Sequence, residues 1–179
     1  MQLLVCLIFT ASATAENTGS AEPTVTAAPQ ETCPLDAAFF FVYGSLRPDD
    51  PTRHPWQRSW LAGSTKMKRA RVFGGEMRAG YFASVQLSNN NKYPIITGWL
   101  ISFPSNIFEE KLHHCDMIEG VPHLYQREMT KATLLDSNVT VLSWIYTRDS
   151  DGPVVKSGDW IKYQQQLQLQ SVERFELSL

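Results

Sequence analysis

Between positions 105 and 120 the apolar side chains recur at helical spacing. Phe108, Leu112 and Cys115 fall on one stripe, and Glu119 continues it a turn later. At about 100° per residue Glu119 points between Phe108 and Leu112, where a core side chain is expected. Asn106, with Glu109 three residues on, predicts an N-cap and capping box, and Gly120 predicts the stop. The remaining apolar segments follow strand patterns. An unbroken run over 39–43 predicts a buried strand ended by Gly44. Strands are predicted over 70–73 and 81–87, separated by the Gly74-Gly75 turn region, and over 95–103, where Trp99, Ile101 and Phe103 share a face. An antiparallel pair is predicted over 125–135 and 139–147, joined at Asp136-Ser137-Asn138, with Leu142, Trp144 and Tyr146 facing one way. Residues 48–55 are turn-rich, 56–61 suit a short helical turn, and 88–92, with its run of asparagines, reads as a loop. Beyond Tyr163 glutamine alternates with leucine before the chain becomes charged. That tail, 164–179, fits either a helix or a disordered end and receives no function. Short strands around one strong helix predict a single α+β domain over 37–163.

Glu119 has two readings. A carboxylate held against apolar side chains has a raised pKa, the usual way to make an acid/base group for neutral pH. The alternative is a solvated glutamate at a frayed helix end. Gly44 is equally open. A glycine turn after the first strand can bring consecutive backbone N–H groups to an anionic oxygen, or it can simply be a turn. Ser45 lies outside any G-x-S-x-G elbow and is not read as a nucleophile. Tyr125 and Arg127 alternate with Gln126 and so point to one side of a strand. Tyr125 there either lines a pocket and meets a substrate carboxylate, or packs with its hydroxyl at the surface. Tyr146 is a further candidate for the pocket wall. Asp116 is read as a flanking or helix-end hydrogen-bonding group, and Arg47 as a solvent-facing residue after the turn, with an anion contact as the alternative.

Composition narrows the function classes. A net charge of −2 and a hydrophobic fraction of 43% support a packed core and argue against nucleic acid or anionic membrane as the main partner. The one basic cluster, Lys66-Met67-Lys68-Arg69-Ala70-Arg71, reads as the solvated start of a strand. His113-His114-Cys115-Asp116 cannot converge on one ion, because adjacent helical side chains point about 100° apart, and no paired C-x-x-C or H-E-x-x-H exists. No metal site is expected. Cys115 on the apolar stripe is expected to be inert, and no disulfide with Cys33 is expected.

At the amino terminus, residues 3–10 form an apolar run too short to span a bilayer, and Ala13-Thr14-Ala15 has signal-peptidase spacing, although no Lys or Arg precedes the run. Two outcomes stay open: a leader over 1–15 that is cleaved, placing the product outside the cell or in the endomembrane lumen, or a cytoplasmic chain. Asn138-Val139-Thr140 is a glycosylation sequon only in the first case. Residues 16–36, rich in Thr, Ala, Pro, Ser and Glu, read as a disordered linker.

Phe41-Val42-Tyr43-Gly44-Ser45-Leu46-Arg47-Pro48, then Tyr93-Pro94 with Gly98, Asp116 through Glu119-Gly120, Tyr125-Gln126-Arg127 and Ser157-Gly158-Asp159-Trp160 occur in this order. The set resembles the gamma-glutamylcyclotransferase superfamily, in particular its AIG2-like and gamma-glutamylamine cyclotransferase branch, over about residues 37–163. The resemblance implies a small, mostly antiparallel β-barrel with helices outside, a shape periodicity alone does not give. It implies that the glutamate, here Glu119, is the acid/base and that Tyr43, Gly44, Ser45 and Leu46 bind the gamma-glutamyl group. The implied reaction is closure of the substrate's own α-amine onto its γ-carbonyl, which releases 5-oxoproline and an amine without cofactor. The expected partner is a small gamma-glutamyl substrate, and the expected state is a monomer. The alternative is a non-catalytic AIG2-like module that binds a small ligand. Asp49-Asp50 departs from the glycine related sequences often carry after the loop, which puts the loop's shape in question.

Overall fold

A computed structural model describes residues 37–88 and 94–176. The expected leader and linker, Cys33 and most of the 88–92 loop lie outside the described residues. Among the described residues seven strands and three helices follow in the order β1 (Ala37–Val42), α1 (Pro55–Leu61), β2 (Lys66–Val72), β3 (Gly75–Ala79), β4 (Ala83–Leu87), β5 (Ile96–Pro104), α2 (Ser105–Glu119), β6 (Gln126–Leu134), β7 (Thr140–Thr147) and α3 (Trp160–Glu176). Five strands close a barrel in the order β1-β5-β2-β6-β7, and β3 and β4 form a separate hairpin. All barrel pairs are antiparallel except the closing one, where β1 and β7 run parallel with Phe40 opposite Trp144.

The aromatic run of β1 is unbroken because both its faces are buried, as in the strands of covered sheets. Phe41 and Tyr43 point into the barrel with Ala70, Val72, Leu100, Ala132 and Ile145, and Met77 and Val85 of the hairpin join them. Phe40 and Val42 point outward into a second core with Trp60, Ile101, Phe103, Leu112, Cys115, Tyr125 and Tyr146. Trp60 is fully buried, edge-on to Phe40 and Phe103 at 5.3 Å, and its indole N–H donates to the Lys111 carbonyl at 3.1 Å. Each such ring contributes roughly 1.5–3 kcal/mol by burial, which fastens α1 and α2 to the barrel wall. Gly98 on β5 is required by this packing: a Cβ there would stand 2.3 Å from the Val42 carbonyl oxygen.

Three expectations are corrected. Asn106 does not cap α2. Pro104 occupies the cap with extended backbone and Asn106 lies inside the first turn, where its side chain cannot reach back to the free N–H groups. Strand β3 is missed by the sequence reading, because its inward side chains are Gly75, Met77 and Ala79 and so form no apolar run. The strand expected from position 81 begins only at Ala83, since Tyr81 and Phe82 form the exposed hairpin tip. The tail beyond Tyr163 is the continuation of α3.

Candidate active site

At one end of the barrel a cavity of about 830 Å³ opens between the turn after β1, the end of α2, the β3–β4 tip and α3. Helix α2 runs to Glu119, and Gly120 ends it in the left-handed conformation (φ 64°, ψ 39°), its N–H returning to the Asp116 carbonyl. Phe108, Leu112 and Cys115 hold one face of α2 against the barrel, so the next residue of that stripe, Glu119, is carried to the cavity wall. Lys111 shares this face: it is buried, donates to the Ser59 carbonyl and lies over the Phe103 ring, an arrangement the apolar pattern does not announce. The Glu119 carboxylate receives no hydrogen bond from the described residues. Burial pushes its pKa from 4.5 up to about 7. Cys115, one turn back, is a free buried thiol pushed well above its ordinary value by burial and then by Glu119.

Tyr43, Gly44, Ser45, Leu46, Tyr125 and Tyr146 all line the same cavity. The turn is closed by the Arg47 N–H on the Gly44 carbonyl at 3.1 Å. The two residues between them, Ser45 and Leu46, have backbone N–H groups without an acceptor among the described residues. Gly44 itself is not in the left-handed region, and an added Cβ would meet only Ala83 Cβ at an ordinary 3.5 Å. The turn therefore does not need glycine for its conformation; what a side chain there would take up is space beside the cavity. The phenol of Tyr43 donates to the Tyr146 carbonyl at 2.6 Å and that of Tyr125 to the Ala83 carbonyl at 2.7 Å. Burial raises both phenols' pKa, Tyr125 to about 12, and the Glu119 carboxylate adds to the rise in each. Both stay protonated donors at neutral pH.

Two residues behave differently from their sequence reading. Arg47 is buried at 1% exposure rather than facing solvent. Its guanidinium forms two bonds of 2.8 Å with Asp49 and one of 2.7 Å with Asp159, while Gln57 caps its carbonyl. Asp159 also accepts the Ile161 and Lys162 N–H groups, so Arg47 locks the turn onto the first turn of α3. Asp49, in question as a departure from related loops, is this lock's other half. Arg127 shares a side with Tyr125 but does not line the cavity. It donates to Asp116 at 2.6 Å and lies over the Trp144 ring. Asp116 accepts the Tyr146 hydroxyl at 2.7 Å as well, which fixes that ring against α2. The wall also includes α3, through Trp160, Ile161, Gln164, Gln165 and Gln168. The glutamine-leucine tail gave no sign of this in the sequence, because only the packing of α3 brings those residues to the cavity. Among the described residues no group of three or more His, Cys, Asp or Glu is placed to hold a metal ion.

The family model described as "Gamma-glutamyl cyclotransferase, AIG2-like" matches residues 40–162. A Methanocaldococcus jannaschii protein named "Putative gamma-glutamylcyclotransferase" is 30% identical over 128 residues, 70% of this chain and 97% of that protein. Among solved structures the chain is similar to YkqA from Bacillus subtilis, with a TM-score of 0.56 and 22% identity. That match covers 74% of this chain but 42% of YkqA, so the chain spans under half of that longer protein. It is also similar to an AIG2-like protein from mouse, with a TM-score of 0.50 and 22% identity over 66% of this chain and 81% of that one. These two likenesses bear on the fold.

Proposed function

The chain belongs to the gamma-glutamyl cyclotransferase, AIG2-like family, and on that footing we propose that it is itself a gamma-glutamylcyclotransferase with Glu119 as its acid/base. The observation that carries this is Glu119: a carboxylate with no protein partner among the described residues, at a cavity wall, with a pKa near 7. A carboxylate that only pairs with a ligand's ammonium has no need of a pKa near neutrality, whereas a proton shuttle does. In the proposed reaction the α-nitrogen attacks the γ-carbonyl carbon, a ring C–N bond forms and the C–N bond to the leaving amine breaks. The α-ammonium loses two protons on becoming the lactam N–H. Both end on the leaving nitrogen, which departs as ammonium, so no water is consumed. A carboxylate titrating near neutrality takes each proton and returns it in turn. Holding the glutamyl chain folded contributes up to roughly 7–11 kcal/mol of the barrier lowering. The free Ser45 and Leu46 N–H groups are available to a substrate oxygen, and the Tyr43 and Tyr125 phenols shape the wall beside Glu119.

The same wall bears on the leaving group. Among the described residues no Lys or Arg lines the cavity, so the carboxylate of a departing dipeptide finds no permanently charged partner there. This supports γ-glutamyl groups on simple amines over intact glutathione; for a lysine side chain, which keeps its own carboxylate, the support is the resemblance to gamma-glutamylamine cyclotransferases alone. The test is side-by-side kinetics with 5-oxoproline as product. The expected result is a higher kcat/KM for γ-glutamyl-ε-lysine than for glutathione. A preference for glutathione overturns the substrate assignment, and the absence of 5-oxoproline from every γ-glutamyl compound overturns the activity.

A further inference from the structure

A γ-glutamyl group fills only part of a cavity of about 830 Å³, a volume suited to a drug-sized ligand. What surrounds the rest is largely apolar and aromatic and holds no Lys or Arg among the described residues. At the β3–β4 tip Tyr81 is 93% exposed and Phe82 46%, with ring centroids 4.8 Å apart and the planes at 85°. The same cavity is lined by His54 and Trp56, whose rings are stacked at 4.9 Å with an interplanar angle of 11°. Helix α3 adds Gln164, Gln165 and Gln168, which hydrogen-bond without charge. Asp50 lines the cavity too, but its Oδ1 is engaged by the backbone N–H and hydroxyl of Thr52. A tyrosine exposed to this degree adds little to a core, and apolar groups gathered at one cavity mouth mark a ligand surface. An aromatic ring seated against them finds both a π face and ring edges, the offset and edge-on arrangements such rings prefer.

We propose that this rim is a leaving-group subsite that selects γ-glutamyl amides of aromatic amines lacking a carboxylate. The proposal rests on the cyclotransferase reading and adds Tyr81, Phe82, His54 and Trp56 as residues that determine specificity. Selection works by binding: the aryl ring seats against these aromatic side chains while the γ-glutamyl end lies at Glu119. Each well-placed aromatic contact favours the aryl substrate by about three- to tenfold beyond its burial.

The experiment compares γ-glutamyl-2-phenylethylamide with γ-glutamyl-ethylamide on the full chain, by 5-oxoproline release and by titration calorimetry. The expected kcat/KM ratio favours the phenylethylamide by at least about tenfold. Tyr81→Ala lowers that ratio several-fold, and Tyr81→Phe retains it. Tyr81 is almost wholly exposed, so these variants are expected to fold. A ratio near one in the wild type, or an unchanged ratio in Tyr81→Ala, overturns the subsite. If neither amide turns over, calorimetry still decides. Tighter binding of the phenylethylamide that weakens in Tyr81→Ala upholds the subsite and sinks only the activity, whereas equal affinities sink the subsite.

Discussion

Glu119→Gln is expected to cut 5-oxoproline release by at least about 10²–10⁴-fold, the usual contribution of a positioned acid/base group. The amide is nearly isosteric but cannot carry a proton. The wild-type rate is expected to fall on the acid side as pH drops through about 7, because the first step needs the carboxylate. The stability effect has the opposite sign. A carboxyl whose folded pKa is raised from 4.5 to about 7 costs nothing while protonated in both states, below pH 4.5. The cost grows as pH rises and is complete above about 7, reaching on the order of 1–3 kcal/mol for a half-buried group. Glu119→Gln is therefore expected to match the wild type in denaturation at pH 4 and to exceed it at pH 8. A variant that keeps the wild-type rate removes Glu119 from the mechanism. One less stable than the wild type at pH 8 contradicts the burial account.

The second large effect is structural. Arg47→Met is expected to destabilise the fold by about 3–5 kcal/mol, because it leaves the buried Asp159 without its ion-pair partner and Asp49 with Arg69 alone. The loss falls where the turn after β1 meets α3, so substrate affinity is expected to weaken along with stability. Burial alone would raise the pKa of Asp49, but its bonds to Arg47, helped by Trp99 and Arg69, outweigh that and hold it at about 2, below 3.8. A depressed carboxyl gives stability that is present above the unfolded value and is lost as pH falls through the folded one. The difference between wild type and Arg47→Met, followed by urea denaturation, is expected to be full at pH 7 and to shrink between about pH 4 and 2. A difference under about 1 kcal/mol at pH 7 would mean that the pair is solvated rather than buried.

The contrast between these residues explains what the sequence made legible. Glu119 was found because a helix is periodic: one acid on a stripe of Phe108, Leu112 and Cys115, followed by Gly120, is a local irregularity. The 39–43 run was equally plain, since a strand buried on both faces carries no polar positions. Barrel closure is a matter of pairing between distant strands, and it entered only through resemblance. Arg47 was misread because a polar residue after a glycine turn is usually solvated. Its burial depends on Asp159, which lies 112 positions away. Asp116 as anchor of Arg127 and Tyr146, and α3 as part of the cavity wall, have the same origin in contacts between remote elements. Strand β3 was lost for a local reason: its one large buried side chain, Met77, stands between charged Glu76 and Arg78, with only Gly75 and Ala79 to continue the inward face.

The central claim is that the substrate supplies its own nucleophile while Glu119 only moves protons. Turnover of a γ-glutamyl amine in water enriched in heavy oxygen, read by mass spectrometry, tests it most directly. Ring closure by the α-amine predicts 5-oxoproline without heavy oxygen, with an equal amount of free amine. Glutamate carrying heavy oxygen in its side-chain carboxylate would mean that Glu119 activates water, and the cyclotransferase mechanism would be contradicted.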